Sequence, residues 1–141
     1  MIDLQELLSK IKPFVLGWMQ RTTYLSTPLT STAWDGDARS TTAKTLIDLS
    51  AVFGVPAGVS AVLVQVVLRD SGSAANDCYV VLAPVSTPYG SGVRCSGLPN
   101  DTYVNQTLIV PCNADGDIYY QVAASGAGTM DIFLQIEGWT I

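Results

Sequence analysis

From Thr45 onward, apolar residues fall at alternate positions in short runs separated by turn residues. Val62, Val64, Val66 and Leu68 share one face of a strand over Val59–Arg69, the period of two that a pleated backbone imposes. Leu63 and Val67 take the other face, which predicts a central strand covered on both sides. In a last strand, Met130–Trp139, the inward set is Met130, Ile132, Leu134 and Ile136, with Asp131, Gln135 and Glu137 outward. Leu46–Leu49, Tyr79–Ala83, Thr102–Val110 and Ile118–Ala123 read as further strands, and one more is expected near Leu29–Trp34. Pro84–Pro99 reads as a loop and Asp115-Gly116 as a hairpin turn. Seven or eight strands in about 110 residues predict a mainly β chain, an antiparallel β-sandwich of jelly-roll kind.

The first twenty residues follow a different period. Leu4, Leu8, Ile11, Val15 and Trp18 keep the four-three spacing of a heptad seam. Asp3 and Glu6 form a capping-box pattern, and Glu6 and Lys10 an i,i+4 pair. Pro13 removes a backbone donor, so this short N-terminal α-helix kinks or restarts there. Ile2, Leu7, Phe14, Leu16 and Met19 lie off the seam and leave the segment apolar nearly all round. So short a helix is marginal alone in water. It therefore packs on its own sheet or on partners, and the five seam residues are the candidate oligomerisation or anchor set. The expected organisation is an anchor over 1–20, a Thr/Ser-rich arm over 21–44 and a β-sandwich head over 45–141.

Composition narrows the chemistry. The 141 residues include no histidine, so the commonest general base and metal ligand is missing and a Ser-His-Asp or Cys-His centre is excluded within the chain. No phosphate-binding glycine motif occurs. The Asn113-Ala-Asp115-Gly116-Asp117 run resembles the opening of a calcium loop but departs from it at Ile118 and Ala124. Paired carboxylates could hydrolyse a glycoside, yet Asp35, Asp37, Asp70, Asp77, Asp101, Asp115 and Asp117 stand in turn-like contexts. We expect no catalytic residue, no metal and no cofactor.

A formal charge of -5 excludes the basic stripe of a nucleic-acid binder. The apolar stretch Ala51–Leu68 is broken by Gly54, Pro56 and Gly58, which predicts two strands around a turn rather than membrane insertion. Cys78, Cys95 and Cys112 are odd in number, and reduced buried thiols are expected. No signal peptide is recognisable, which implies synthesis in a cytoplasm. Charged residues make up 13% of the chain, about half the usual share; this implies a surface largely covered by other subunits.

Three stretches carry a resemblance: Thr45–Arg69 (TLIDLSAVFGVPAGVSAVLVQVVLR), Asp70–Asn76 (DSGSAAN), and Val110–Trp139, where VPCNADGDIYYQVAAS leads to a closing FLQIEGW. With the short apolar helix before them, they resemble small virion proteins of tailed bacteriophages. These are tail-fibre or receptor-binding heads and capsid decoration proteins. The resemblance implies a homotrimer located in the virion, with other virion proteins as partners and the helix as stalk or anchor.

As a receptor-binding head, the chain would recognise a host surface glycan or protein without covalent chemistry. Trp34, Tyr89 and Tyr103 are the candidate stacking platforms, and packing is the alternative role for each. As a capsid decoration protein it would clamp a shell through its helix and arm. A cellular lectin or carbohydrate-binding module is a further alternative.

Overall fold

The structure, a computed structural model, describes residues 3–6, 9–10, 21–31, 34, 44–87 and 90–141. Eight strands lie among them: β1 (Thr22–Leu29), β2 (Thr45–Ile47), β3 (Ala61–Asp70), β4 (Tyr79–Ala83), β5 (Ser91–Arg94), β6 (Val104–Pro111), β7 (Ile118–Ala123) and β8 (Met130–Thr140). A single helical turn, α1, spans Leu49–Phe53. Residues 4–6 and 9–10 are also helical. There Asp3 Oδ1 accepts the Gln5 N–H at 2.9 Å, and Lys10 meets Glu6 at 2.7 Å.

The strands form two four-stranded antiparallel sheets, ordered β1-β8-β3-β6 and β2-β7-β4-β5. The chain changes sheet after nearly every strand and returns its last strand to the middle of the first sheet. That double Greek-key route is the jelly roll. Inward side chains of both sheets make one core, in which Val64, Val66, Leu68, Val80, Leu82 and Ile118 are fully buried. Each such residue contributes about 1.5–3 kcal/mol over its exposed state. Met130, Leu134 and Ile136 join them as the period of β8 predicts.

The structure corrects five local expectations. The first strand runs over Thr22–Leu29 rather than Leu29–Trp34, so a strand of the sandwich comes from within the 21–44 stretch. As an edge strand with Pro28 and mostly exposed polar positions, it has almost no apolar alternation to betray it. Leu46–Leu49 divides into β2 and the start of α1, so the Ala51–Leu68 stretch holds the end of a helical turn and one strand rather than two strands around a turn. Asp48 caps α1 by accepting the Ala51 N–H at 2.9 Å, and Gly54 ends it at φ 76°.

The supposed Pro84–Pro99 loop contains β5, a four-residue strand whose glycine hid it. The Asp115-Gly116 turn joins β6 and β7, which belong to different sheets, so it is a crossover and not a hairpin. Asn113 builds it, its Oδ1 accepting from Asp115 N and Asp117 N, and Gly116 takes φ 91°. Among the described residues no helix is long and apolar enough to cross a membrane.

Candidate interaction surface

In β3 every second side chain points away from the core, and its register fixes what surrounds each one. Leu63 lies opposite Ile109 of β6 and Gly138 of β8; Val67 lies opposite Asn105 and Phe133. Tyr24 of β1 also pairs with Gly138. The outer face of the β1-β8-β3-β6 sheet thus gathers Tyr24, Leu63, Val67, Ile109 and Phe133. Tyr24 is 74% exposed, Ile109 71% and Phe133 43%. The expectation that β3 is covered on both sides therefore holds only for its inner face; Leu63 and Val67 are half-buried with no second layer over them among the described residues. Exposed apolar residues are ordinary one at a time, but several on one sheet face mark a contact surface.

Two hollows indent this face. One, of about 90 Å³, is lined by Tyr24, Ala61, Leu63, Ile109 and Thr140 among others. The second, of about 230 Å³, lies between Val67, Tyr103, Asp131 and Phe133. Beside the second, the Arg69 Nε donates to Asp131, and the guanidinium carbon stands 4.8 Å from the Tyr103 ring centroid. The Asp131 carboxylate holds the Arg69 pKa above its ordinary value. An equivalent cluster decorates the other sheet, where Arg94 meets Asp77 and lies 4.5 Å from the centroid of Tyr79. Asp77 is lowered by the Ser96 hydroxyl and by Arg94.

The loops beyond the Asp131 end of β8 are tied by a buried carboxylate. Asp70, at the end of β3, accepts from Gly72 N at 2.7 Å, Ser125 N at 3.0 Å, the Ser125 hydroxyl, and the Thr129 hydroxyl at 3.0 Å. Burial pushes its pKa up, but the hydrogen bonds from Ser125, Gly72 and Thr129 outweigh it and hold the carboxyl below its ordinary value. Its backbone oxygen accepts the Asp101 N–H at 3.0 Å. The fully buried Ser73 donates to the carbonyls of Leu98 and Pro99. The DSGSAAN stretch is therefore a knot that joins three loops.

Of the sequence-derived site residues, Leu4, Trp34 and Tyr103 are among those described. Of the seam, Leu4 is 70% exposed, whereas Leu8, Ile11, Val15 and Trp18 lie outside the described residues. Tyr89, Asp35 and Asp37 lie outside them as well. Trp34 packs against the core, edge-on to the buried Tyr120 at 5.4 Å between centroids, an arrangement that serves packing. Tyr103 is 60% exposed beside the second hollow, where a ligand ring could reach it. Sequence reasoning missed Tyr24, Ile109 and Phe133. The signal was present in Phe133, an apolar residue at an outward position of an otherwise regular alternation.

No protein-family model matches the chain, and no curated protein matches it. Among solved structures it is similar to the coat protein of Tobacco streak virus, with a TM-score of 0.43 and 6% identity, over 87% of this chain and 85% of that one.

Proposed function

We propose that this chain is a structural subunit of a virus particle, one that binds and holds without covalent chemistry. The observation that carries the proposal is the outward apolar face of the β1-β8-β3-β6 sheet. Eight-stranded jelly rolls serve viral capsids, lectins and cupins, and a fold alone does not choose among them. A cupin centre usually needs histidine ligands, and this chain has none. A lectin presents polar loops to sugars, whereas Tyr24, Ile109 and Phe133 here stand exposed on one sheet face. The resemblance of three sequence stretches to phage virion proteins favours the same role, and a shell-bound decoration subunit uses such a face directly.

One observation favours receptor binding as a second reading. The hollow between Tyr103 and Phe133, with Asp131 at its wall, offers a stacking ring beside a hydrogen-bond acceptor, the pairing that saccharides require.

Mass spectrometry of gradient-purified, nuclease-resistant particles from producing cells tests the proposal. The chain is expected there at fixed stoichiometry. Abundance in the lysate with absence from the particles would overturn it. Gold-labelled antibody on those particles separates the readings, marking the shell in the first and the tail tip in the second.

A further inference from the structure

Cys78 and Cys95 face each other across an antiparallel pair. The register of β4 and β5 sets Tyr79 opposite Arg94 and Val80 opposite Val93, and one step further places Cys78 opposite Cys95. The Cys95 N–H donates to the Cys78 carbonyl at 3.0 Å, and the Cys78 N–H to the Ser96 hydroxyl at 2.8 Å, so the pairing persists past the strand ends. Both side chains point inward with Val80 and Val93, and both residues are fully buried in the core. The Cys95 sulfur lies 3.8 Å from the Cys78 carbonyl oxygen, and the Cys78 thiol is within hydrogen-bonding reach of it. Opposite residues of a hydrogen-bonded pair stand about 5.5 Å apart at Cα, inside the range of about 4.4–6.8 Å that a disulfide bridges.

Cys112 does not compete. Its N–H bonds to Ser60, just before β3 begins, whereas Cys78 lies beside Asp70 at the other end of that strand. The ten residues of β3 hold those ends about 30 Å apart. The odd number of cysteines therefore resolves into one facing pair and a remote third.

We propose that Cys78 and Cys95 close a cross-strand disulfide when the chain folds in the presence of glutathione disulfide or a comparable small disulfide oxidant. The bond fastens β5, a four-residue edge strand, to β4, its neighbour in the sheet. The inference is independent of the assembly reading above. The chemistry balances over two exchanges. One cysteine thiolate attacks glutathione disulfide, forming a mixed disulfide and releasing one glutathione thiolate. The other cysteine thiolate attacks the cysteine sulfur of that mixed disulfide and releases the second. The protein loses two protons and two electrons, and the oxidant leaves as two molecules of reduced glutathione. In the finished sandwich burial holds both thiols above their ordinary value, Cys78 at about 11, which leaves little thiolate to react. The exchange therefore belongs to folding, before β4 and β5 are covered, and the native protein keeps whichever state it folded with.

Cell-free synthesis of the full chain in two buffers tests this, one holding reduced glutathione and the other mostly glutathione disulfide. The oxidised product is expected to be lighter by two hydrogen atoms. Its peptide map should join Cys78 to Cys95 and leave Cys112 open to alkylation after denaturation. Its unfolding equilibrium constant should be about 100-fold lower than that of the reduced chain, a rise in Tm of about 10 °C, because a closed loop of about 17 residues restricts the unfolded chain. Cys112→Ser should keep the bond and the shift between buffers, and Cys95→Val should lose both. Glutathione disulfide added after reduced folding should leave all three thiols free. Three free thiols in the oxidised product, a bridge through Cys112, bridges between chains, or rapid closure in the folded chain would each overturn the proposal.

Discussion

Ser125 closes on the buried carboxylate of Asp70 twice, through its backbone N–H to one oxygen and its hydroxyl to the other. Thr129 and Gly72 add two more donors. Asp70→Asn removes the charge and turns an N–H₂ toward groups that need an acceptor, so it is expected to cost about 2–4 kcal/mol. Urea denaturation at neutral pH measures this.

The same carboxylate sets an acid limit. Its pKa is lower folded than unfolded. Its stabilisation is therefore full above the unfolded carboxylate value of about 4 and is lost as the pH falls through the folded value. Asp48, held down chiefly by the Ala51 N–H, and Asp77 titrate in the same sense. The Asp70 share is then the difference between wild type and Asp70→Asn. Melting temperatures of the two proteins should converge as the pH drops from about 6 toward about 2; a constant gap would refute the assignment.

Gly138 and Gly54 are needed for different reasons, and alanine distinguishes them. A Cβ on Gly138 would stand 2.4 Å from the Thr23 carbonyl oxygen, in the backbone of β1. Gly138→Ala must push β1 away from β8, and a loss of about 3 kcal/mol is expected. At Gly54 there is open space but φ is 76°, so alanine costs only about 1 kcal/mol through the left-handed backbone. Thermal melts of the two variants should rank in that order.

Tyr120 is a core residue whose hydroxyl has no hydrogen-bond partner among the described residues, and the Trp34 indole N–H beside it has none among them either. Removing the hydroxyl takes away an uncompensated polar group. Tyr120→Phe is expected to leave stability unchanged or raise it by up to about 1 kcal/mol. Trp34→Ala should lose about 2–4 kcal/mol of packing, whereas Tyr103→Ala should lose little. Chemical denaturation of the three variants checks the order.

Cys78 and Cys95 should be inert in the native protein and Cys112 slow to react. Burial pushes Cys78 and Cys112 up to about 11, and raises Cys95 as well. Cys78 and Cys95 are fully buried and Cys112 only partly. At a pH of about 8, near the ordinary thiol value, a chromogenic disulfide reagent should find Cys112 slowly and the other two only after unfolding. Rapid reaction of all three in the native state would contradict the packing of β4 against β5.

The sandwich was legible wherever one face of a strand is apolar and the other polar. Ile118–Ala123 and Tyr79–Ala83 have the bounds the pattern predicts, and β3 and β8 shift by only one or two residues at their ends. Elements without that contrast were not legible. The edge strand β1 buries little, β5 is four residues long, and α1 is a single turn held by its Asp48 cap. Sheet membership was also beyond alternation, because the period that identifies β6 and β7 is the same whether they pair with each other or part. The interaction surface was half legible. Leu63 and Val67 were visible on the second face of β3, but only the register placed Ile109 and Phe133 beside them.

The position of β8 between β1 and β3 has a consequence for biosynthesis. A ribosome delivers β1 and β3 well before the strand that joins them, so the first sheet cannot close while most of the chain emerges. Until Met130–Thr140 arrives, Val62, Val64, Val66 and Leu68 lack one neighbouring strand, and the growing polypeptide presents an open slot of backbone donors and acceptors. Sheet closure is thus a late event dominated by contacts distant in sequence, which makes it slow and exposes it to mispairing between nascent chains. Polysomes translating this message would hold many such slots side by side, each able to accept the β8 of a neighbour.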